Sequence, residues 1–256
     1  MTSATMNNPN RPDIFIVGTM KGGTTILHEF LGHHPEIHPG RDKEIHYFSL
    51  YEAKGLAWYH QQFEGLPPNQ HYMDASPTYF DMAAAPTIPS KIDAYNPQAR
   101  IVMLARHPID RALSHFNHVK KVNKAPGVTE MTADEFFSRP IEHAISGTSA
   151  ADIYHFQTLE FSCYYRKAIH YKRIFGDRFM VVDNANLSAE PQETMNRIFR
   201  HVQVDPITSD AFGQRKYSHM KKDSAVLSPK TRERLSEMFK PNYRAFCNVV
   251  GLEFKW

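Results

Sequence analysis

Short apolar runs alternate with segments of helical periodicity along the chain. Apolar runs predict strands of a parallel sheet, because strands that are covered on both faces are apolar throughout. The predicted strands are Asp13–Val17, the more polar His71–Ala75, Ala99–Ala105 and Phe179–Val182. The predicted helices are Ile26–Leu31, Pro108 to about Val119, Leu159–Phe175, Pro191–Val202, and Pro229–Val250 with Ser228 as a suitable N-cap. This alternation predicts one α/β domain with a central parallel sheet of four or five strands flanked by helices.

The chain of 256 residues has the length of one large domain. We expect a polar, flexible N-terminus over residues 1–11 and one folded domain over residues 12–256. The segment Lys120–Ala151 is polar and is interrupted by proline and glycine, which is typical of an insertion at the rim of a sheet.

Charge and cysteine content exclude several classes of protein. Lys and Arg total 30 against 27 Asp and Glu, and the resulting net charge of +3 is too small to indicate nucleic-acid binding. Cys163 and Cys247 do not form a disulfide framework, and we expect two small buried thiols. The histidines lack zinc-ligand spacing relative to the cysteines, so no metal site is expected. No signal peptide and no membrane span is recognised, which predicts a cytoplasmic protein.

A glycine-rich loop, Gly18–Thr25, lies between the first predicted strand and the first helix. Gly18, Gly23 and Thr25 have the spacing of a nucleotide phosphate loop, but Thr24 stands at the lysine position and the lysine is Lys21. Backbone amides and the helix N-terminus still suit an anion. Lys21 is then placed to sit on the oxygen that bridges a phosphate and a transferred group. Coordination of Mg²⁺ has weaker support in this arrangement.

Four further blocks carry polar residues in a recognisable order. They are K-E-I-H-Y-F at Lys43–Phe48, D-A-S-P-T-Y at Asp74–Tyr79, the strand that ends in Arg106-His107-Pro108 with Ser114 eight residues after the arginine, and the final run Leu227–Trp256. If the first block is extended, residues two apart share a face. Glu44 and His46 would then point the same way and Lys43 the opposite way.

Together with the glycine loop, these blocks resemble the sulfotransferases that use 3′-phosphoadenosine-5′-phosphosulfate (PAPS). The resemblance is closest to the heparan-sulfate N- and 3-O-sulfotransferase branch and its soluble bacterial relatives. The loop is similar to that family's 5′-phosphosulfate loop, Lys43–Phe48 to its K-E-x-H-[FY]-F segment, and Asp74–Tyr79 to its E-K-T-P-x-Y segment. The Arg106 and Ser114 block resembles its 3′-phosphate signature, and the chain end resembles its G-x-x-F-x-W tail.

The resemblance implies transfer of a sulfuryl group from PAPS to a hydroxyl, without a metal, leaving adenosine 3′,5′-bisphosphate (PAP). It implies that Glu44 is the base and that Lys21 stabilises the leaving phosphate. His46 then either supports Glu44 or contacts the sulfate. The implied nucleotide-binding residues are Lys21, Gly22, Gly23, Thr24, Thr25, Arg106, Ser114, Tyr164 (unless it is a core aromatic), Lys221 and Lys222. The implied substrate-binding residues are Lys43, Asp74 and Tyr79.

One departure from the family pattern bears on the acceptor. Ala75 replaces the lysine of the E-K-T-P segment, which weakens the expectation of a heparan-like acceptor. A sugar hydroxyl, a phenol, a lipid and a carrier-bound hydroxyacyl group all remain open.

Two other classes of function fit the sequence less well. An ATP- or GTP-dependent kinase is disfavoured by the position of Lys21, and Asp183 is the nearest candidate for a Mg²⁺ ligand. A non-catalytic binding protein is disfavoured by the presence of both Glu44 and Lys21.

Overall fold

A five-stranded parallel sheet forms the centre of the fold. The computed structural model describes residues 11–65, 67, 71–82, 86–122, 127–147, 149–214 and 225–256. In chain order the strands are β1 Ile14–Gly18, β2 Ile37–Pro39, β3 His71–Ala75, β4 Arg100–Ala105 and β5 Phe179–Asp183. Their order across the sheet is β2-β3-β1-β4-β5, with every pair parallel. The predicted α/β fold and its sheet are therefore confirmed. The short edge strand β2 was not predicted, because three residues with a histidine and a proline give no apolar run.

Most of the other described residues form helices. They are α1 Thr24–Gly32, α2 Gly55–Gln61, α3 Thr78–Asp81, α4 Thr87–Tyr95, α5 Pro108–Lys121, α6 Ala133–Phe137, α7 Ile141–Ser146, α8 Ala150–Glu160, α9 Tyr165–Phe175, α10 Asn184–Ala189, α11 Pro191–His201, α12 Ala211–Gln214 and α13 Pro229–Val250. Ser228 caps α13 by accepting a hydrogen bond from the backbone amide of Thr231, as predicted.

The helix predicted near Leu159–Phe175 is present as α9, Tyr165–Phe175, but its predicted start is too early, because a turn separates α9 from α8. The carbonyl oxygen of Thr158 near the end of α8 accepts hydrogen bonds from Nη2 of Arg111 at 2.6 Å and from Oγ of Ser162 at 3.0 Å. Side chains that bind the carbonyls of the last turn compete with continuation of a helix.

The chain groups into two compact units. The sheet unit comprises the described parts of residues 1–105 and 169–216, and it contains all five strands. The helical unit comprises those of residues 106–168 and 217–256. The boundary drawn at residue 12 and the rim position of Lys120–Ala151 remain predictions. Within the helical unit, however, Phe136 and Phe137 from that segment pack in the hydrophobic core with Phe239.

Two further features are the state of the cysteines and the character of the described helices. Cys163 and Cys247 are both free thiols, and Cys247 is buried whereas Cys163 is half-buried. Among the described residues, no helix combines the length and the apolar character needed to cross a membrane.

Candidate active site

The glycine loop after β1 is tightly packed against the end of β4. The backbone amide of Thr19 donates to the carbonyl of Leu104 at 3.0 Å, and that of Gly22 donates to the carbonyl of Thr19 at 2.8 Å. A Cβ atom on Gly22 would lie only 2.7 Å from the Leu104 oxygen and 2.8 Å from the Thr19 oxygen. Only glycine fits this position, because both obstacles are backbone atoms.

The loop ends at the N-terminus of α1. Gly23 is the N-cap residue and has a φ of 107°, a backbone conformation that favours glycine. The amides of the first helical turn, those of Thr24 and Thr25, have no acceptor within the helix by geometry, and the helix dipole adds a partial positive charge there. With the half-buried Lys21, this end of α1 has the chemistry of a phosphate site.

Two buried side chains that the sequence did not single out hold the loop in place. Asp81 at the end of α3 accepts from Oγ1 of Thr19 at 2.6 Å and from the backbone amide of Met20 at 2.7 Å. Nδ2 of Asn184 donates to the carbonyl of Gly22 at 2.7 Å. These partners lie more than 60 residues from the loop in sequence, so no local pattern could have found them.

The neighbouring Asp183, the nearest candidate for a Mg²⁺ ligand, is a helix-capping residue. Its carboxylate accepts from the backbone amide of Ala185 at 2.9 Å and caps α10. This is a structural use of the side chain, which lends no support to a kinase site.

Glu44 lies between two basic side chains. Nζ of Lys43 is 2.5 Å from Oε1 of Glu44, and Nε2 of His46 is 3.6 Å from Oε2. The expectation that Lys43 points away from Glu44 is therefore wrong. Glu44 and His46 have φ values of 69° and 56°, so the segment is not extended and neighbouring side chains can meet.

This arrangement keeps Glu44 ionised. The hydrogen-bonding imidazole of His46, together with the ammonium group of Lys43, lowers the pKa of Glu44 from an ordinary 4.5 to about 2, against the opposing effect of partial burial. At neutral pH the side chain is therefore a carboxylate, as an ordinary glutamate is, but its lowered pKa makes it a weaker base while it is paired with Lys43 and His46.

The low pKa has a measurable consequence. Because the folded-state pKa lies below the unfolded value, Glu44 favours folding above about pH 4.5, and this contribution is lost as the pH falls towards 2. We expect the Glu44 carboxyl carbon to titrate near pH 2 in a ¹³C NMR experiment, and Lys43→Met to raise that value. A Glu44 that titrates near 4.5 in the wild-type protein would contradict the ion-pair geometry.

The charges of Glu44 and Lys43 act on α1, the helix that follows the glycine loop. His28 is a residue of α1, and burial and the charge of Lys43 lower its pKa while the charge of Glu44 opposes them. The charges of Lys43 and Glu44 thus act on His28 of α1. The candidate base and the candidate phosphate loop both belong to the sheet unit, and their joint role in one site remains a prediction.

Asp74 and Tyr79, predicted to contact the acceptor, lie beneath the surface. Both side chains are 0% exposed. Oδ2 of Asp74 accepts from the hydroxyls of Tyr79 and Tyr59, each at 2.7 Å, and Oδ1 accepts from Oγ of Ser76 at 2.6 Å. Burial raises the pKa of Asp74 against these hydrogen bonds. In this structure neither residue is accessible to an acceptor, so both fit a supporting role.

The predicted 3′-phosphate residues belong to the helical unit. Arg106 is half-buried, and burial lowers the pKa of its guanidinium group against the charge of Asp110. Ser114 is half-buried on α5. Tyr164 is a core aromatic: it is 0% exposed, and its hydroxyl donates to the carbonyl of Arg106 at 2.9 Å. Lys221 and Lys222 lie outside the described residues.

The C-terminal tail packs within the helical unit. The ring of Trp256 lies 4.5 Å from that of His107, the residue after Arg106, and its Nε1 donates to Oγ of Ser236 on α13 at 2.8 Å. The final aromatic residues therefore support the segment that begins at Arg106.

The fold, the glycine loop and the Lys43–His46 cluster are consistent with a transferase of the α/β class. The sulfotransferase domain family matches residues 11–245, and the chain belongs to that family. It is consequently a transferase that moves sulfuryl groups.

Three relatives illustrate the similarity. Human heparan sulfate glucosamine 3-O-sulfotransferase 6 is 26% identical over 96% of this chain and 73% of its own length. A sulfotransferase from Alicyclobacillus acidocaldarius has the same fold, with a TM-score of 0.78 at 20% identity over 95% of this chain and 97% of its own. Mouse sulfotransferase SULT7A1, in complex with PAP, aligns with a TM-score of 0.57 at 14% identity over 94% and 87%.

Proposed function

We propose that this protein transfers a sulfuryl group from PAPS to a hydroxyl group, with Glu44 as the base. The observation that carries the proposal is the Glu44 carboxylate, held between Lys43 and His46, in the same unit as the glycine loop that precedes α1. Membership in the sulfotransferase family supports the reaction, and the PAP complex of a mouse relative supports the choice of donor.

The glycine loop fits the 5′-phosphosulfate end of PAPS. The backbone amides of Thr19, Met20 and Gly22 bind acceptors within the protein, and those of Thr24 and Thr25 at the start of α1 are proposed to hold the anion. A phosphosulfate carries less charge than a triphosphate, and Lys21 with the end of α1 supplies positive charge without a metal ion. That no metal is required remains part of the proposal.

In the proposed step the acceptor oxygen bonds to sulfur while the bond from sulfur to the bridging phosphate oxygen breaks. The acceptor proton passes to Glu44, and PAP leaves. Lys21 stabilises the charge that grows on the bridging oxygen. Lys43 is held by Glu44 in the resting protein, and a sulfuryl oxygen that attracts its ammonium group would loosen this pair. The basicity of Glu44 would then rise when the donor is in place.

The acceptor stays open in this proposal. Ala75 stands at the position of the family lysine, and its side chain is buried in β3. A glucosamine-containing chain, the substrate named for the human relative, is therefore one candidate beside a phenol, a lipid and a carrier-bound hydroxyacyl group. A cytoplasmic location is likewise retained as a proposal.

Arg106 and Ser114 remain our proposed ligands of the 3′-phosphate, together with the basic residues Lys221 and Lys222. Replacing Arg106 with Ala should weaken PAP binding by about 10- to 100-fold, as for one lost charged hydrogen bond. The same change should leave 5′-AMP binding unaltered, since 5′-AMP has no 3′-phosphate.

Arg232 gives a matched control because it is an exposed arginine on α13 of the same unit. Arg232→Ala should bind PAP as the wild type does in isothermal titration calorimetry. Unchanged PAP affinity in Arg106→Ala would place the 3′-phosphate elsewhere.

The proposal is tested by calorimetric titration with PAP, ATP and 5′-AMP, without added metal. Micromolar binding of PAP, with much weaker binding of the other two nucleotides, supports it and justifies a screen of hydroxyl acceptors. A preference for ATP, or binding that depends on Mg²⁺, would contradict it and favour a kinase.

A further inference from the structure

One short segment contacts both halves of the candidate active site. It runs from the end of β3 to the end of α3, Asp74–Asp81, and we call it the β3–α3 bracket. We propose that this bracket fixes the position of Glu44 relative to the glycine loop, and that Ser76 and Asp81 are its positioning residues. The inference rests on the proposed function in so far as it assigns this geometry to sulfuryl transfer.

On the base side, the bracket holds both the backbone and the side chain of His46. The backbone amide of His46 donates to Oγ of Ser76 at 2.9 Å. Its Nδ1 lies 2.8 Å from Oγ1 of Thr78, within hydrogen-bonding distance. His46 is one of the two groups that lower the pKa of Glu44, so the bracket acts on Glu44 through His46.

The hydroxyl of Ser76 is itself fixed by a buried carboxylate. It donates to Oδ1 of Asp74 at 2.6 Å, while Tyr59 and Tyr79 occupy Oδ2. With its proton engaged in this way, the oxygen of Ser76 is oriented to accept from the amide of His46. This contact restrains His46 in the left-handed conformation, which is unusual for a residue other than glycine.

On the loop side, the bracket ends in Asp81. Its two oxygens accept from Thr19 and Met20, the residues that precede Lys21. Phe80 closes off the start of the loop, because a Cβ atom on Gly18 would lie 2.8 Å from its Cβ. The hydroxyl of Tyr171 on α9 donates to the carbonyl of Tyr79 at 2.8 Å and secures the bracket from a third element.

A rigid connector matters for a reaction in which three atoms must align. Small displacements of a reacting group can cost about 100-fold in rate. Only four residues separate Ser76 from Asp81, and both of these side chains are buried. The bracket therefore limits independent movement of Glu44 and the loop, a role that neither motif shows in sequence.

The base side is tested by Ser76→Ala, with Tyr59→Phe as its matched control. Each variant removes one hydrogen bond to the buried Asp74, but only Ser76→Ala also frees the His46 amide. We expect Ser76→Ala to raise the pKa of Glu44 above about 3 in ¹³C NMR, and Tyr59→Phe to leave it near the wild-type value. A purely structural role of Ser76 would lower the thermal stability of both variants and leave the titration of Glu44 unchanged in both.

The loop side is tested by Asp81→Ala, with Asp81→Asn as its control. Alanine removes both contacts, and we expect PAP affinity to fall by about 10- to 100-fold in calorimetry. Asparagine can accept from Met20 and donate to Thr19, so its affinity should stay within about threefold. If Asp81→Ala does not fold, Thr19→Val removes only the Thr19 contact, and its affinity should fall by about three- to tenfold.

The two arms separate this inference from the proposed function. If the wild-type protein does not bind PAP, the proposed function is lost, yet the Glu44 titration still tests the base side because it needs no ligand. If the wild-type protein binds PAP, two results overturn the bracket proposal. One is an unchanged Glu44 titration in Ser76→Ala, and the other is wild-type PAP affinity in the folded Asp81→Ala or Thr19→Val protein.

Discussion

Glu44→Gln should lower kcat for sulfuryl transfer by about 10²- to 10⁴-fold, the range for loss of a general base. Glutamine keeps the size of the side chain and can still accept a hydrogen bond, but it cannot take up the acceptor proton. PAP binding should stay within about threefold of the wild-type value, since Glu44 is proposed to contact the acceptor and not the nucleotide. Single-turnover rates, combined with calorimetry on the same protein, measure the two effects separately.

Glu52→Gln is the matched control for this experiment. Glu52 lies on the same segment, is exposed, and forms a surface ion pair with Lys91. Surface ion pairs contribute little to stability, so this variant should keep both its rate and its PAP affinity. Full activity in Glu44→Gln would remove Glu44 as the base. An equal loss of rate and PAP affinity would mean that the substitution disturbs the loop.

The sheet and the glycine loop were predictable because their signals are local. Buried parallel strands such as β4 are apolar throughout, and a glycine loop between a strand and a helix is read from neighbouring residues. The turn between α8 and α9 was missed for the opposite reason. Arg111, which binds the carbonyl of Thr158 near this turn, lies 47 residues away in sequence.

The residues of the candidate site likewise divide into those with a local sequence signal and those without one. The sequence singled out Glu44, His46 and Lys21, whose residue types and order are characteristic of the family. It misplaced Lys43, because the positive φ of Glu44 breaks the alternation on which that expectation depended. It also assigned Asp74 and Tyr79 to the acceptor, although both side chains are buried and joined to each other by a hydrogen bond. Their polar character signals the network beneath the site rather than its surface.

Gly22→Ala should reduce PAP affinity by at least about 100-fold and lower the melting temperature. The added methyl group would lie 2.7 Å from the Leu104 oxygen and 2.8 Å from the Thr19 oxygen. Neither oxygen can move away easily, since one belongs to the central strand β4 and the other to the loop itself. Relief of the clash must therefore shift the loop, and overpacking of this kind costs about 1–3 kcal/mol of stability. Calorimetry with PAP and a thermal melt of the same sample report the two effects.

Gly213→Ala provides the comparison, because a Cβ atom at Gly213 on α12 of the same unit meets nothing within 4 Å. That variant should keep PAP affinity and be as stable as the wild type or slightly more stable, since alanine favours a helix. A Gly22→Ala protein that melts at a lower temperature but binds PAP normally would mean that the loop is a packing element and that the phosphates bind elsewhere. Loss of PAP binding in Gly22→Ala alone would instead tie nucleotide affinity to the close approach of the loop and β4 at Gly22.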